Sequence, residues 1–336
     1  MPSPYAKDQP SGFINRIERI AVVGAGGSIG QHIASELVKT GKHTVTALTR
    51  PDSKNKLPAG VTPVYVDYND ESSLVAALRG QQFLVITMAV TAPPDTQSKL
   101  FRAAAKAGVP YVMPNGYGSD FTNDALARET LRGDVIRKLV KEIEDTQVCS
   151  WITLVCGFWY EFSMARGEEC FGLDTQKKRL TFMDGGNTKI NISTWEQCGR
   201  AIAGLVSLKE LPEDANDTSP TVSSWKNKPL YTASFLISQR DIFESWKRVT
   251  GDRDEDWTFR DEPSHERYAR GRERLQSGDK MGYVQMLYSR QFYPNGDGDF
   301  GAKHGLANDL LGLPREDLDE GTRRAKALIE SGYAYH

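Results

Sequence analysis

One segment constrains this chain more than any other: Ile20-Ala21-Val22-Val23-Gly24-Ala25-Gly26-Gly27-Ser28-Ile29-Gly30. A short apolar run ends in glycines, and Gln31 to Lys39 then has the pattern of a helix. Strand, glycine turn and helix in this order form the element that binds a dinucleotide pyrophosphate. Glycines permit the tight turn and the close approach of backbone to phosphate, while the helix N-terminus offers free N–H groups to the anion. Gly24, Gly27 and Gly30 keep a G-x-x-G-x-x-G spacing. Gly24, Gly26, Gly27, Ser28, Ile29 and Gly30 are therefore the expected cofactor cradle. The alternative is a structural turn in some other α/β domain.

The residues that follow alternate strand and helix patterns. His43 to Thr49, Val61 to Val66, Phe83 to Thr87, Tyr111 to Met113 and Trp151 to Val155 read as strands. Helical stretches lie between them at Ser72 to Leu78, about Thr96 to Ala107 and about Ala125 to Asp145. This rhythm predicts an α/β fold, a doubly wound parallel Rossmann-type sheet with right-handed crossovers. Helices on both faces explain why the strands are apolar runs without alternation. The second half is less regular and predicts a smaller α+β substrate-binding portion. There Leu180 to Met183 and Lys189 to Ile192 flank Asp184-Gly185-Gly186, a hairpin-like signal. Trp195 to Leu208 and Gln239 to Val249 have helical spacing of apolar residues, Glu262 to Lys280 reads as a charge-rich solvated helix, Met281 to Phe292 as a more apolar one and Glu320 to Glu330 as a terminal one. Pro212 to Lys228 reads as a loop. The expected organisation is a disordered tail over 1–14, an NADP-binding Rossmann domain over 15–157 and the substrate-binding portion over 158–336.

Composition excludes several classes. A chain of 336 residues with 39% hydrophobic and 26% charged residues matches a globular protein with a large core. A net charge of −2, with no Lys/Arg stripe, argues against nucleic acid as a partner. No apolar run approaches the about 20 residues that span a bilayer, so no membrane partner is expected. The polar start lacks a signal-peptide core, and the expected location is cytoplasmic. Cys149, Cys156, Cys170 and Cys198 lack C-x-x-C spacing, and the 5 histidines are scattered. Neither a metal site nor a disulfide framework is expected, and the cysteines read as buried thiols.

Ligands on an open α/β sheet bind beyond the carboxyl ends of its strands. After the second strand stands Arg50, where an NAD enzyme would usually place an acid. A guanidinium there suits the 2′-phosphate of NADP, with Lys54 as a second charge. Asp67 follows the third strand, suited to the adenine edge. Thr87, Met88 and Ala89 follow the fourth, Asn115 the fifth, and Gly157-Phe158 the sixth; all are expected to touch the cofactor. Three adjacent aromatics, Phe158-Trp159-Tyr160, cannot all enter one core. Tyr117, Trp159 and Tyr160 are the expected walls of a pocket for a flat substrate. The alternative is a seam between the two halves.

The glycine loop, Thr49-Arg50-Pro51, Asp67-Tyr68, Pro114 to Asp120 and Gly157 to Phe162 together resemble the NmrA-like family. More closely, the chain is similar to fungal isoflavone-reductase-like (CipA-like) oxidoreductases, from about Arg19 almost to the C-terminus. Thr188 to Trp195 and Asp309 to Pro314 share in that likeness. The resemblance implies an atypical short-chain dehydrogenase fold binding NADP(H). Its plant members reduce phenolic double bonds and ethers, with a Lys near the nicotinamide. Two departures stand out. The plant Pro-Ser-Glu-Phe-Gly loop is here Pro114-Asn115-Gly116-Tyr117-Gly118, without its acid. Counting along the following helix for the Lys reaches Arg132 or, with a gap, Lys138.

None of the 13 tyrosines has a Lys four residues later, so the Tyr-x-x-x-Lys pair of ordinary short-chain dehydrogenases is absent. Lys138, Tyr117 and Tyr160 are the candidate proton donors, with water a further possibility. The expected function is an NADPH-dependent reductase of an aromatic or conjugated small molecule in secondary metabolism, as a monomer or homodimer. Two other readings stay open: a regulatory NADP sensor, and a non-redox cyclase or isomerase that uses bound NADP as pocket wall.

Overall fold

The run before the glycines forms β1 (Arg19–Val23), buried in all but its first residue. The chain then passes through α1 (Gly30–Lys39), β2 (Thr44–Thr49), β3 (Thr62–Tyr65), α2 (Glu71–Leu78), β4 (Phe83–Ile86), α3 (Thr96–Ala107) and β5 (Tyr111–Met113). The helices α4 (Asp124–Glu129) and α5 (Gly133–Glu144) precede β6 (Ser150–Val155). This is a computed structural model, and it describes residues 4–89 and 91–333. The six strands pair in parallel in the order β6-β5-β4-β1-β2-β3. Side chains of β1 alternate between the two faces, as strand geometry requires. Ile20 and Val22 pack under Ile33 and Leu37 of α1. Ala21 and Val23 face Leu74 of α2, Leu100 of α3 and Ile143 of α5. Both faces are covered, which is the doubly wound arrangement.

The second half begins with β7 (Phe158–Trp159), α6 (Tyr160–Ala165), α7 (Glu168–Phe171), β8 (Leu173–Asp174), β9 (Arg179–Met183), β10 (Ile190–Ser193) and α8 (Trp195–Val206). It continues with β11 (Lys228–Tyr231), β12 (Phe235–Ile237), α9 (Gln239–Thr250), β13 (Thr258–Glu262) and α10 (Ser264–Gln276). The helices α11 (Lys280–Gln291), α12 (Phe300–His304) and α13 (Leu318–Glu330) complete it. Two small sheets, β12-β10-β7 and β13-β9-β8, surround a separate core that includes Phe171, Met183, Ile192, Trp246 and Phe292. Buried Arg290 of α11 ties this half to α4, pairing with Glu129 and, at 2.6 Å, with Asp297. No helix among the described residues is long and apolar enough to cross a membrane.

Four expectations change. The helix expected over about 125–145 is two helices, because Leu131 takes a left-handed φ of 58° between them. The hairpin expected around Asp184-Gly185-Gly186 does not form: β9 pairs with β8 and β13, while β10 pairs with β7 and β12. The division at residue 157 does not divide the sheet. β11 returns to add a seventh parallel strand beside β6, and α8 packs on α1, where the bare Cα of Gly199 faces His32 O. Within the segment expected as a tail, Ala6 N–H donates to Pro212 O at 2.9 Å, and the Asn15 side chain brackets Leu211.

Glycine conformation gives a quantitative test. Gly157 has φ +66°, and a Cβ there would lie 2.0 Å from Asn191 O of β10; Gly108 has φ +76° with nothing within 4 Å. Gly108→Ala should cost about 1–2 kcal/mol, the left-handed penalty alone. Gly157→Ala should cost more than about 3 kcal/mol, since backbone must also move. Denaturant unfolding of the two variants reads the difference directly.

Candidate functional site

From β1 the sheet is built outward to β2 and β3 on one side and to β4, β5 and β6 on the other, so the switch point lies between β1 and β4. The glycine loop sits at its carboxyl end, the place where such sheets bind ligands. Gly24 has φ +78°, and a Cβ on it would lie 2.0 Å from Thr87 O; one on Gly30 would lie 2.0 Å from Gly24 O. Loop, helix and the end of β4 are thus in backbone contact. The N–H groups of Ser28, Ile29 and Gly30 find no acceptor among the described residues. They are the free donors of a helix N-terminus, aimed at whatever anion approaches.

Around the loop the expected contacts sort into two groups. The first keeps open polar groups on the rim. Arg50, at the end of β2, is 67% exposed, and its ion-pair partner among the described residues is a loose one, Asp52 at 3.7 Å. Lys54 is exposed in the loop after it, which folds over Gly26: a Cβ there would lie 2.8 Å from Asn55 Cβ. Ala89 is exposed beyond β4. The second group is spent on structure. Thr87 Oγ1 donates to Val23 O at 2.8 Å, bracing the loop from beneath. Asp67 accepts from Asn69 N–H at 2.8 Å and shapes its own turn. The Asn115 side chain donates to Met88 O at 2.9 Å, joining the ends of β4 and β5. Gly157 turns its bare Cα to β10, so its glycine is explained by packing.

The aromatic segment divides by alternation. Phe158 stacks on Tyr288 at 3.7 Å between centroids, inside the second core, and is not on the cleft. Tyr160 is fully buried in the same core, with its hydroxyl 2.7 Å from Thr322 Oγ1. That contact turns its hydroxyl into the second core, so it does not reach the cleft. Trp159, between them, turns the other way. It lies 6.3 Å from Tyr117 and 6.1 Å from Phe162, next to the glycine-loop side of the sheet. Lys138 is also excluded: its side chain is 79% exposed, beside Glu142. The apolar residues Ile136, Leu139, Val140 and Ile143 face the sheet and turn Lys138 to water. A cation that does reach Tyr117 is Arg132, whose Nη2 donates to Tyr117 O at 3.2 Å.

What remains is a set of buried donors without partners among the described residues. Tyr117 Oη, Trp159 Nε1 and Trp195 Nε1 are all buried and unpaired, and all three residues belong to the core on the α1 side of the sheet. An unpaired buried donor costs about 1–3 kcal/mol, so Tyr117 and Trp159, 6.3 Å apart, fit a ligand that carries acceptors. Burial pushes the Tyr117 phenol well above its ordinary value, which keeps it protonated and donating. Trp195 stacks on His32 at 5.7 Å, and burial lowers that imidazole's pKa. The base of Trp195 is fixed by Glu161, which accepts its backbone N–H at 3.2 Å and pairs with Arg324 at 3.2 Å. Sequence reading missed Trp195 and His32 as site residues, because only the docking of α8 on α1 brings them together. A separate cavity of about 500 Å³, between α7, β13, α10 and α11, takes no residue from the seven-stranded sheet. Three of its arginines are engaged by carboxylates, Arg267 by Glu262 at 2.7 Å, Arg270 by the same Glu262, and Arg274 by Asp279 at 2.8 Å.

Comparison with known proteins agrees with this architecture. Residues 17–130 match the model of the NmrA-like family. The chain is 28% identical over 311 residues to a protein named oxidoreductase aprR of Aspergillus flavus, covering 90% of this chain and 96% of that one. It shares its fold with a crystal structure of isoflavone reductase, at TM-score 0.68 and 20% identity, over 90% of this chain and 98% of that one. The structure of AtPrR2 with NADP+ and (+)pinoresinol aligns at TM-score 0.61 and 18% identity, over 95% and 99% of the two chains. The family match thus covers the first strands and helices, and the fold likeness to isoflavone reductase runs along most of the chain.

Proposed function

We propose that this chain is an NADPH-dependent reductase of an aromatic or conjugated small molecule, with secondary metabolism as its setting. The observation that carries the reading is the set of unpartnered buried donors, Tyr117 Oη, Trp159 Nε1 and Trp195 Nε1, beside a glycine loop with free N–H groups. Such a site is apolar enough to take a flat ring and polar enough to orient it. Two likenesses support it: the fungal relative is named an oxidoreductase, and one structural neighbour is a complex with NADP+ and (+)pinoresinol.

The residues fit NADP(H). The N–H groups of Ser28, Ile29 and Gly30 suit the pyrophosphate, and Arg50 with Lys54 suits the 2′-phosphate. Bound NADPH would supply the hydride, and the protein supplies orientation and a proton or hydrogen bond at the acceptor. Tyr117 is the group proposed for that role, since its hydroxyl is held protonated by burial. Arg132 acts by holding the Tyr117 backbone and adding positive potential. Trp159 and Phe162 form an aromatic wall.

Two measurements test this. Arg50→Ala should weaken NADPH binding about 10-fold or more, as loss of a charge-assisted contact implies, and leave NADH binding nearly unchanged. Fluorescence titration of both cofactors reads it, and equal weakening of the two would remove the 2′-phosphate assignment. Tight NADP+ binding without NADPH oxidation by any quinone, enone or lignan would favour the sensor or non-redox readings instead.

Tyr117→Phe separates function from stability. Removing an unpartnered buried hydroxyl should leave the ligand-free protein as stable as the parent or up to about 1–2 kcal/mol more so. The same change should lower kcat about 10²–10⁴-fold if Tyr117 handles the proton. A thermal scan paired with NADPH-oxidation kinetics gives both numbers, and an unchanged kcat would reassign the donor to water.

A further inference from the structure

The last described residue, Tyr333, lies far from the glycine loop in sequence and against it in space. Its path begins on α13, which belongs to the second core. Thr322 of α13 meets the Tyr160 hydroxyl at 2.7 Å and Ser245 Oγ at 2.6 Å, Ala325 is fully buried, and Arg324 pairs with Glu161. Past the end of α13 the chain turns back toward the sheet, and Tyr333 Oη comes 2.8 Å from Ser28 Oγ at the tip of the loop. Its ring meets Trp195 edge-on, at 6.2 Å and 65°. A segment anchored in one half thus closes a hydrogen bond on the nucleotide-binding loop of the other.

The contact leaves the loop competent. Tyr333 engages only the Ser28 side chain, while the N–H groups of Ser28, Ile29 and Gly30 keep no acceptor among the described residues. Two facing hydroxyls hold two protons and use one between them. The other is available to an acceptor oxygen, and a phosphate beside the loop is such an acceptor. The Trp195 indole supports the ring from the side, and His32 supports the indole in turn.

We propose that Tyr333 is a positioning residue of the dinucleotide site: the C-terminal segment is a strap, and its phenol, paired with Ser28, caps the pyrophosphate and slows its departure. The inference rests on the NADP(H) reading above. A plug that competes for Ser28 would have the same resting contact but the opposite effect on affinity, so binding measurements decide between them.

The experiment is stopped-flow and equilibrium binding of NADPH to the full chain and to Tyr333→Phe, Tyr333→Ala and Ser28→Ala. Tyr333→Ala should bind about 5–30-fold more weakly through faster dissociation, with the association rate unchanged. Tyr333→Phe, which keeps the ring, should lose about 3–10-fold, the size of one hydrogen bond. Combined with Ser28→Ala it should lose little more, because the two changes remove one interaction. Tyr333→Phe also keeps the test valid if the alanine variant folds poorly. Dissociation rates at the parental value in both Tyr333 variants, or tighter binding in either, would overturn the strap while leaving the cofactor reading intact. A parent chain that takes up no NADPH would overturn the cofactor reading and the strap together.

Discussion

The site depends on how closely β1 and β4 approach at their carboxyl ends. Gly24 leaves no room for a side chain against Thr87 O, and Gly30 leaves none against Gly24 O. Thr87 adds its own hydroxyl to Val23 O. These contacts set where α1 begins and hence where its free N–H groups point. They also fix the loop after β2, whose Asn55 and Lys56 rest on Gly26. The proposed places of phosphate, ribose and nicotinamide are all set relative to this one junction.

A second constraint holds the other wall. Glu161 and Glu316 are both nearly buried carboxylates, and between them they gather the Trp195 N–H, Thr194 Oγ1, Ser234 Oγ, Arg200 and Arg324. Burial raises the pKa of Glu161, and Arg324 opposes the rise. Charges removed from water are costly unless geometry and extra hydrogen bonds compensate them. Here the compensation is shared by residues of α6, α8, α13 and the segment before α13. The cluster therefore holds the start of α8, and with it Trp195, at a fixed distance from the glycine loop.

Local chemistry is legible in the sequence and long-range pairing is not. The helix expected over about Thr96 to Ala107 and the strand over Tyr111 to Met113 both form, because Gly108 ends the one in a left-handed turn and Pro110 precedes the other. The parallel pairing of the first six strands follows from the alternation of strand and helix. Asp184-Gly185-Gly186 is a real turn, with all three residues at positive φ, yet the strands it joins belong to different sheets. Turn residues specify a bend and say nothing of partners. Lys138 stands on the wrong face for the role expected of it, and its exposure is encoded in the apolar spacing of Ile136, Leu139, Val140 and Ile143. Phe158 and Tyr160 fail as cleft residues for a similar reason. Two-residue alternation sends them to one face and only Trp159 to the other. Trp195, His32 and Tyr333 carry no local mark, since the tertiary packing of α8 and α13 alone brings them to the loop.

The seventh strand has a consequence for how the chain reaches its fold. β11 pairs with β6 through Lys228↔Ile152 and its neighbours, and everything from β7 to α8 is made in between. A ribosome delivering this chain completes six strands long before the seventh exists. Through that interval β6 presents an open, apolar, parallel edge, the kind of surface on which chains join to one another. Its natural cover is still being synthesised. The growing chain thus carries a timed vulnerability, which ends only when residues 228–231 emerge and seal the edge.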